Sequence, residues 1–431
     1  MLSRKQRTGR PVARTLPFSQ FILLPLGLIL LMSAACASPP TPELVYVAPD
    51  ARRTLPTSTP FQPSNEHPLL PTLSLSPALP TAVLPTQSDL PLNLTLDLNP
   101  LTGLPPTDPA LLDRRPLAIK ISNYPRTIRT QQYGLNLADH VFEYYIEWGH
   151  TRFIGVFYGN NAPQVGPVRS GRFFDEHVAR MYRAFLVFNY ADPRELNYFG
   201  RTDLAPYVIM PSRCAKGVCA PFFVYNLARL PDEQHLTSYF DMTRFPQFLA
   251  KSGLENARQP LRHGFFSETS PSGEQRVRRV EITYSQADYH YWEYDPERRI
   301  YLRYQETADF DPEADQGKSY APLVDAATGE QVQAHNVVVL YVSHTFANTF
   351  NAKDEVYHIH LVDWGRAYVF RDGLVVPAEW ARPQRNQPLV LTTPSGAPIY
   401  LRPGRTFFQV IGLTSTLEQR GDVWSFDFST P

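Results

Sequence analysis

Residues 139–172 read DHVFEYYIEWGHTRFIGVFYGNNAPQVGPVRSGR. Val141–Ile146 and Thr151–Tyr158 are rich in β-branched and aromatic residues, and Trp148-Gly149-His150 separates them. The pattern predicts two strands joined by a short turn. The stretch then runs through Gly166-Pro-Val-Arg-Ser-Gly-Arg172 into a predicted helix. Ser170 is placed to cap it, and it extends to about Tyr182 with Phe174, Val178 and Met181 on one face.

The charges in this stretch define a candidate site. Glu143 and Glu147, four apart on a strand, are expected to face the same side, and Arg152 can join them from the neighbouring strand. Charged groups beside strongly apolar strands need partners, because unpaired buried charge is costly. One reading is an ion network in which the arginines neutralise Glu143, Glu147 and Asp175. The other is an anion site, in which free N–H groups at a helix start and the forks of Arg169 and Arg172 hold pyrophosphate or carboxylate, with or without a metal ion on Glu143 and Glu147. The candidate anion-binding residues are Arg169, Ser170, Gly171, Arg172, Arg152, Glu143 and Glu147.

Upstream, the chain reads as an export signal followed by a tether. Five basic residues precede the apolar run Phe21–Met32, which leads into Ser33-Ala34-Ala35-Cys36. This is the order of a signal peptide over residues 1–36, and its end resembles the lipobox of bacterial lipoproteins, with Cys36 the lipidated residue. Ser33 stands where leucine is usual. Residues 37–96 are a Pro/Thr-rich stalk with no helical or strand period, which predicts disorder tending to polyproline II. The expected location is extracytoplasmic, anchored to the cell membrane. In that compartment Cys214 and Cys219 are expected to form a local disulfide.

The folded body is expected from residue 97. Up to residue 255, strands at Pro116–Asn123, 141–146, 151–158 and Ala184–Tyr190 alternate with the helix after Ser170. A second helix begins at Asp192-Pro193-Arg194-Glu195, and one helical turn falls at Leu135–Ala138. Residues 256–431 read as β-rich, with strands at Val277–Tyr284, Tyr289–Tyr294, Ile300–Gln305, Asn336–Ser343, Val356–Val362, Ala367–Arg371, Leu389–Thr392, Ile399–Leu401 and Thr406–Ile411. The predicted fold class is α+β, with an N-terminal layered α/β domain followed by a β-rich C-terminal domain.

Charge narrows the function classes. The whole chain is formally neutral, and without residues 1–35 it carries 36 basic against 41 acidic side chains, a net of −5. A mildly acidic body argues against general nucleic-acid binding. No cofactor motif is read. His358, His360, Asp363 and His344 lack a third ligand at diagnostic spacing, so no metal is assigned. Tyr289, Tyr291, Trp292 and Tyr294 suit sugar stacking, and suit a two-sided sheet equally well.

Several signatures occur together: Asn99-Pro-Leu-Thr-Gly103, Ala138-Asp139 with Glu143 and Glu147, Thr151-Arg152-Phe153, Gly166-Pro-Val-Arg-Ser170 with Arg172, Trp292-Glu-Tyr-Asp295, Asn336-Val-Val-Val339, Arg371-Asp-Gly373 and Pro403-Gly404. In combination they resemble the YerB-type bacterial lipoproteins, whose two consecutive domains are of unknown function. The resemblance spans residues 97–415 and implies the same two-part body and a cell-envelope location, with no established activity. The leading expectation is a non-enzymatic binding or scaffolding module for an envelope polymer, an anionic cell-wall component, a lipid-linked precursor or a protein partner. The alternative is a phosphoryl- or glycan-transfer enzyme using Arg169, Arg172, Glu143 and Glu147.

Overall fold

The computed structural model describes residues 97–211, 220–224, 238–262, 264–271, 275–348 and 354–430. The expected signal, Cys36, the stalk, and the pair Cys214 and Cys219 lie outside these residues.

Strands β1 (Leu117–Ser122), β2 (His140–Tyr145) and β3 (Thr151–Phe157) are buried along their whole length. Apolar side chains on both faces of each suit a strand covered from both sides. β2 and β3 pair antiparallel as a hairpin, and Trp148 (φ 51°) and Gly149 (φ 76°) take the left-handed backbone of the reversal. β1 pairs antiparallel with β3 and parallel with the short β4 (Phe185–Val187), which pairs with β5 (Val208–Ile209).

Among the described residues three α-helices accompany these strands: α1 (Asp175–Met181), α2 (Pro193–Arg201) and α3 (Phe245–Ser252). α2 starts as its sequence predicts. Asp192 and Glu195 form a reciprocal capping box around Pro193, which satisfies two orphan backbone donors. α1 departs from expectation, because it begins at Asp175 and Ser170 caps nothing. The preceding backbone is already committed sideways. Arg169 N–H donates to Lys120 O at 3.3 Å, and Gly171 N–H to Tyr190 O at 2.7 Å. The Asp175 side chain then reaches back to accept Arg172 N–H at 2.8 Å. Leu135–Ala138 is a hydrogen-bonded turn, in which Gly134 O accepts from Leu137 and Ala138 N–H.

Beyond residue 264 the described chain contributes strands and turns: β6 (Arg279–Thr283), β7 (Tyr289–Asp295), β8 (Ile300–Glu306), β9 (Asn336–Val342), β10 (Asp363–Arg371), β11 (Leu374–Arg382), β12 (Val390–Thr392), β13 (Thr406–Gly412), β14 (Thr416–Arg420) and β15 (Val423–Asp427). Strand is therefore the dominant element, with few helices. The sequence reading missed β11, β14 and β15. Pro377 lies inside β11, where proline argues against a strand, and β14 is almost wholly exposed and polar.

Two large sheets result. The first has eleven strands, in the order β12-β11-β10-β9-β13-β2-β3-β1-β4-β5 with a short strand at Gln275–Arg276 added to β11. β13 lies between β2 and β9, parallel to both. A strand from the C-terminal part thus continues the N-terminal sheet. The second sheet runs Tyr320–Pro322, β8, β7, β6, β15, β14, with Gln333–Ala334 also on β8.

The first sheet is sandwiched at its centre. On one face the ring of Phe174 leads into α1 and packs on Tyr144 at 4.4 Å, while Tyr182 follows it onto His140. On the other face the second sheet docks, with Trp292 against Phe407 at 4.8 Å and Phe426 against Tyr341 at 6.4 Å. Among the described residues no helix is long and apolar enough to cross a membrane.

Candidate functional site

Strand register decides how the charges are distributed. Glu143 lies opposite Phe153, and Arg152 opposite Tyr144 and Ser122. Neighbouring strand residues point to opposite faces, so Arg152 and Glu143 are on opposite sides of the sheet. Glu143 and Glu147 do not share a face either. β2 ends at Tyr145, the left-handed turn at Trp148 follows, and Glu147 swings toward Arg172. The expected single cluster is two clusters, back to back across β2 and β3.

The α1 face carries the basic cluster. Lys120 and Asp175 are fully buried and pair at 2.9 Å, with the Tyr144 hydroxyl against both. Burial pulls the Lys120 ammonium down to about 8 despite the Asp175 charge. Arg172 donates its Nε to Glu147 Oε2 at 2.8 Å and lies 3.9 Å from Glu195. Burial opposes the Arg172 charge, but Glu147 outweighs it and holds the guanidinium above its usual value. Glu195 is pushed up to about 7 by burial, against the pull of Arg172.

Arg152 differs from these. It is 5 % exposed, its Nη1 donates to the Thr151 carbonyl at 3.1 Å, and its buried Nε has no hydrogen-bond partner. Among the described residues no carboxylate forms an ion pair with it. Burial, followed by repulsion from Arg169 and Arg172, lowers it to about 9. Arg169 and Ser170 are half-buried on the adjoining loop. Gly171 packs face-on to Phe188, where a Cβ would lie 3.0 Å from the ring. The helix-start component of the predicted anion site is absent, because α1 begins beyond the loop and has only seven residues.

Exposed aromatics sit on the turns around this cluster. Trp148 is 64 % exposed beside Glu147, and Tyr190 is 57 % exposed at the residue whose carbonyl takes the Gly171 N–H. His150 stacks on Tyr124 at 3.6 Å.

The opposite face carries the acidic cluster. Arg303 on β8 clasps Glu143, with Nη1 donating to Oε2 at 2.7 Å and Nη2 to Oε1 at 2.9 Å. Its Nε also donates to Gln305 at 2.8 Å. Burial favours the protonated acid, but this fork overrides it and keeps Glu143 ionised. The Thr151 hydroxyl lies 2.9 Å from Glu143 and 2.8 Å from Asp288, and Asp288 also accepts Thr151 N–H at 2.8 Å. Asp288 is pushed up to about 8 by burial and by its neighbours Glu306 and Glu143. His290 is brought down to about 3 by burial and Arg303.

Sequence reasoning missed Asp288, His290, Arg303 and Lys120. Their signal was present as polar residues alternating with apolar ones, His290 before Trp292 and Arg303 before Gln305, at positions where a buried strand needs partners. The histidines at positions 344, 358 and 360 have other roles. His344 Nδ1 lies 2.9 Å from Val342 O, His360 bonds Thr345 at 2.7 Å, and His358 packs on Phe173. Of the aromatic run, Tyr289 and Trp292 are core, and Tyr291 stacks on Tyr304 at 4.7 Å.

Comparison with known proteins now places this body. Residues 101–253 match the family model described as "Protein of unknown function (DUF3048) N-terminal domain", and residues 280–408 match its C-terminal domain. A Bacillus subtilis (strain 168) protein named "Putative lipoprotein YerB" is 23 % identical over 314 residues, 72 % of this chain and 85 % of that one. The crystal structure of YerB from Bacillus subtilis superposes with a TM-score of 0.58 at 22 % identity, covering 73 % of this chain and 96 % of that one. With both consecutive domains matched in order, the chain belongs to the YerB-type family, whose domains are of unknown function.

Proposed function

We propose that this chain is an extracytoplasmic lipoprotein, anchored to the membrane through Cys36, whose body binds an anionic envelope ligand at the Arg152–Arg172 end of β2 and β3. The lipobox-like sequence supports the anchor, as does the name of the Bacillus relative. The observation that carries the binding reading is Arg152, a buried guanidinium without a carboxylate ion pair among the described residues. Such a charge is costly in the free protein, and a phosphate or carboxylate beside it removes that cost. Arg169 on the adjoining loop and Arg172, whose fork is held by Glu147, add positive charge beside the same position. Trp148 and Tyr190 offer flat apolar surface next to it, as a polymer or lipid-linked precursor with sugar rings requires. The transfer-enzyme alternative has less support, because Glu143 faces away from Arg172 and is enclosed by Arg303.

The test is thermal unfolding of the full chain with soluble lipid-pyrophosphate analogues and anionic wall fragments, repeated on Arg152→Met. A ligand at a hundred times its Kd stabilises by about 2.7 kcal/mol. The wild type should shift by several degrees and Arg152→Met should not. Absence of a shift with every anionic probe would reject the binding reading.

A further inference from the structure

On the face of β2 and β3 opposite the anion cluster, one oxygen each of Glu143 and Asp288 and one ring nitrogen of His290 lie within 4.8 Å of one another, all three residues buried. Here we propose that Glu143, Asp288 and His290 bind one divalent transition-metal ion of the zinc class.

Three observations carry this. First, Asp288 Oδ1 is buried without a hydrogen-bond partner, and the completely buried His290 ring makes no hydrogen bond of good geometry, its one such side-chain interaction being with Gln409. Buried polar atoms are almost always satisfied, so orphaned atoms converging on one point indicate something missing between them. Second, His290 Nε2 is 3.5 Å from Glu143 Oε2, too far for a good hydrogen bond. Two ligands of a tetrahedral ion at about 2.1 Å from each are separated by roughly 3.4 Å, which that pair matches. Third, the surrounding polar groups orient the carboxylates as outer partners of metal ligands do. Arg303 forks onto Glu143, and the Thr151 hydroxyl bridges Glu143 and Asp288. Gln409, whose side chain interacts with His290, lies opposite Glu143 in the register of β13 and β2.

One imidazole and two carboxylates, without thiolate, suit Zn2+ or Mn2+ better than softer ions. Glu143 comes from β2, and Asp288 and His290 come from the strand and turn at the start of β7. The ion therefore joins the two matched family domains. This reading does not depend on the anion site, and either can fail without the other.

The test uses the full chain, purified without added metal. Elemental analysis should find about one equivalent of zinc or manganese per chain. After chelator treatment, adding Zn2+ should raise the unfolding temperature of the wild type, but not that of His290→Gln or Asp288→Asn. Thr151→Val, which removes only the bridging hydroxyl, should weaken zinc affinity about 10–100-fold. If the ligand variants do not fold, Co2+ added to the stripped wild type should give the intense visible bands of a four-coordinate ion. Sub-stoichiometric metal with no Zn2+ response and no Co2+ bands would overturn the proposal. So would metal retained in full by both ligand variants.

Discussion

Replacing Arg152 with methionine should stabilise the ligand-free protein, the reverse of what loss of a structural arginine does. Arg152 keeps its proton at neutral pH, so its depressed proton affinity measures the work of holding a charge in that position. A guanidinium brought down from its usual value to about 9 is held at a cost on the order of 5 kcal/mol. Methionine keeps much of the apolar stem and removes the charge. After allowing for the lost bond to the Thr151 carbonyl, a net gain of about 1–3 kcal/mol remains. For a body of this size that is a rise in Tm of roughly 2–6 °C. The assay is paired thermal and urea unfolding of the full chain in buffer free of phosphate and polycarboxylate. The same variant should lose the response to anionic ligands. A stability gain together with a binding loss is expected of a residue retained for function against the interest of the fold. Destabilisation by more than about 1 kcal/mol, well outside the range of neutral surface changes, would refute the reasoning. It would mean that Arg152 is held by interactions that offset its burial.

Lys120→Met makes the contrasting case on the same face. It leaves Asp175 buried without its cation and should cost about 3–5 kcal/mol in urea unfolding, with most of the loss recovered in the double variant Lys120→Met/Asp175→Asn. Glu195 is an acid with a raised pKa, so the folded state holds its proton more tightly than the unfolded state and its contribution to stability falls as pH rises from 4.5 to about 7. Glu195→Gln should therefore equal the wild type below that window and exceed it above pH 7, and a flat difference across pH would contradict the assignment. A fragment covering residues 97–255 should aggregate or remain unfolded by circular dichroism and size-exclusion chromatography, because without β13 the whole edge of β2 is unpaired. A soluble, folded fragment would show that the N-terminal part closes by itself.

The hairpin at the centre of the body was legible because its signal is local. Alternating β-branched and aromatic residues on either side of Trp148-Gly149 specify two strands and a reversal whatever packs on them, and the capping box at Asp192 is equally self-contained. Less local features were harder to read. Ser170 followed by an apolar helical period looks like a helix cap. That backbone instead spends its hydrogen bonds on Lys120 and Tyr190, partners 50 residues before and 20 after it, which no window around Ser170 contains. The insertion of β13 beside β2 has the same origin. Thr406–Gly412 reads as a buried strand, and nothing within it specifies that its neighbour is 266 residues earlier.

The candidate site was legible as composition and illegible as geometry, and the reason is one of parity. Arg152 and Thr151 are consecutive on β3, so once the strand is buried on both sides they must address opposite faces. Arg152 then belongs with Tyr144, Lys120 and Asp175, while Thr151 belongs with Glu143, Asp288 and Arg303. A strand exposed on one face would have placed one set in water, where charge needs no partner. Here the second sheet covers one face and α1 covers the other, so both sets have to be satisfied inside the protein. The acidic set recruits Arg303, from a strand that sequence inspection had no reason to associate with Glu143. The basic set recruits Asp175 and Glu147 and still leaves Arg152 without a carboxylate ion pair among the described residues, with Glu147 and Asp288 acting on it only from farther away. Since a core selected for stability alone would place an apolar side chain at that position, the charge at Arg152 is the strongest reason to look for a ligand at this end of the sheet.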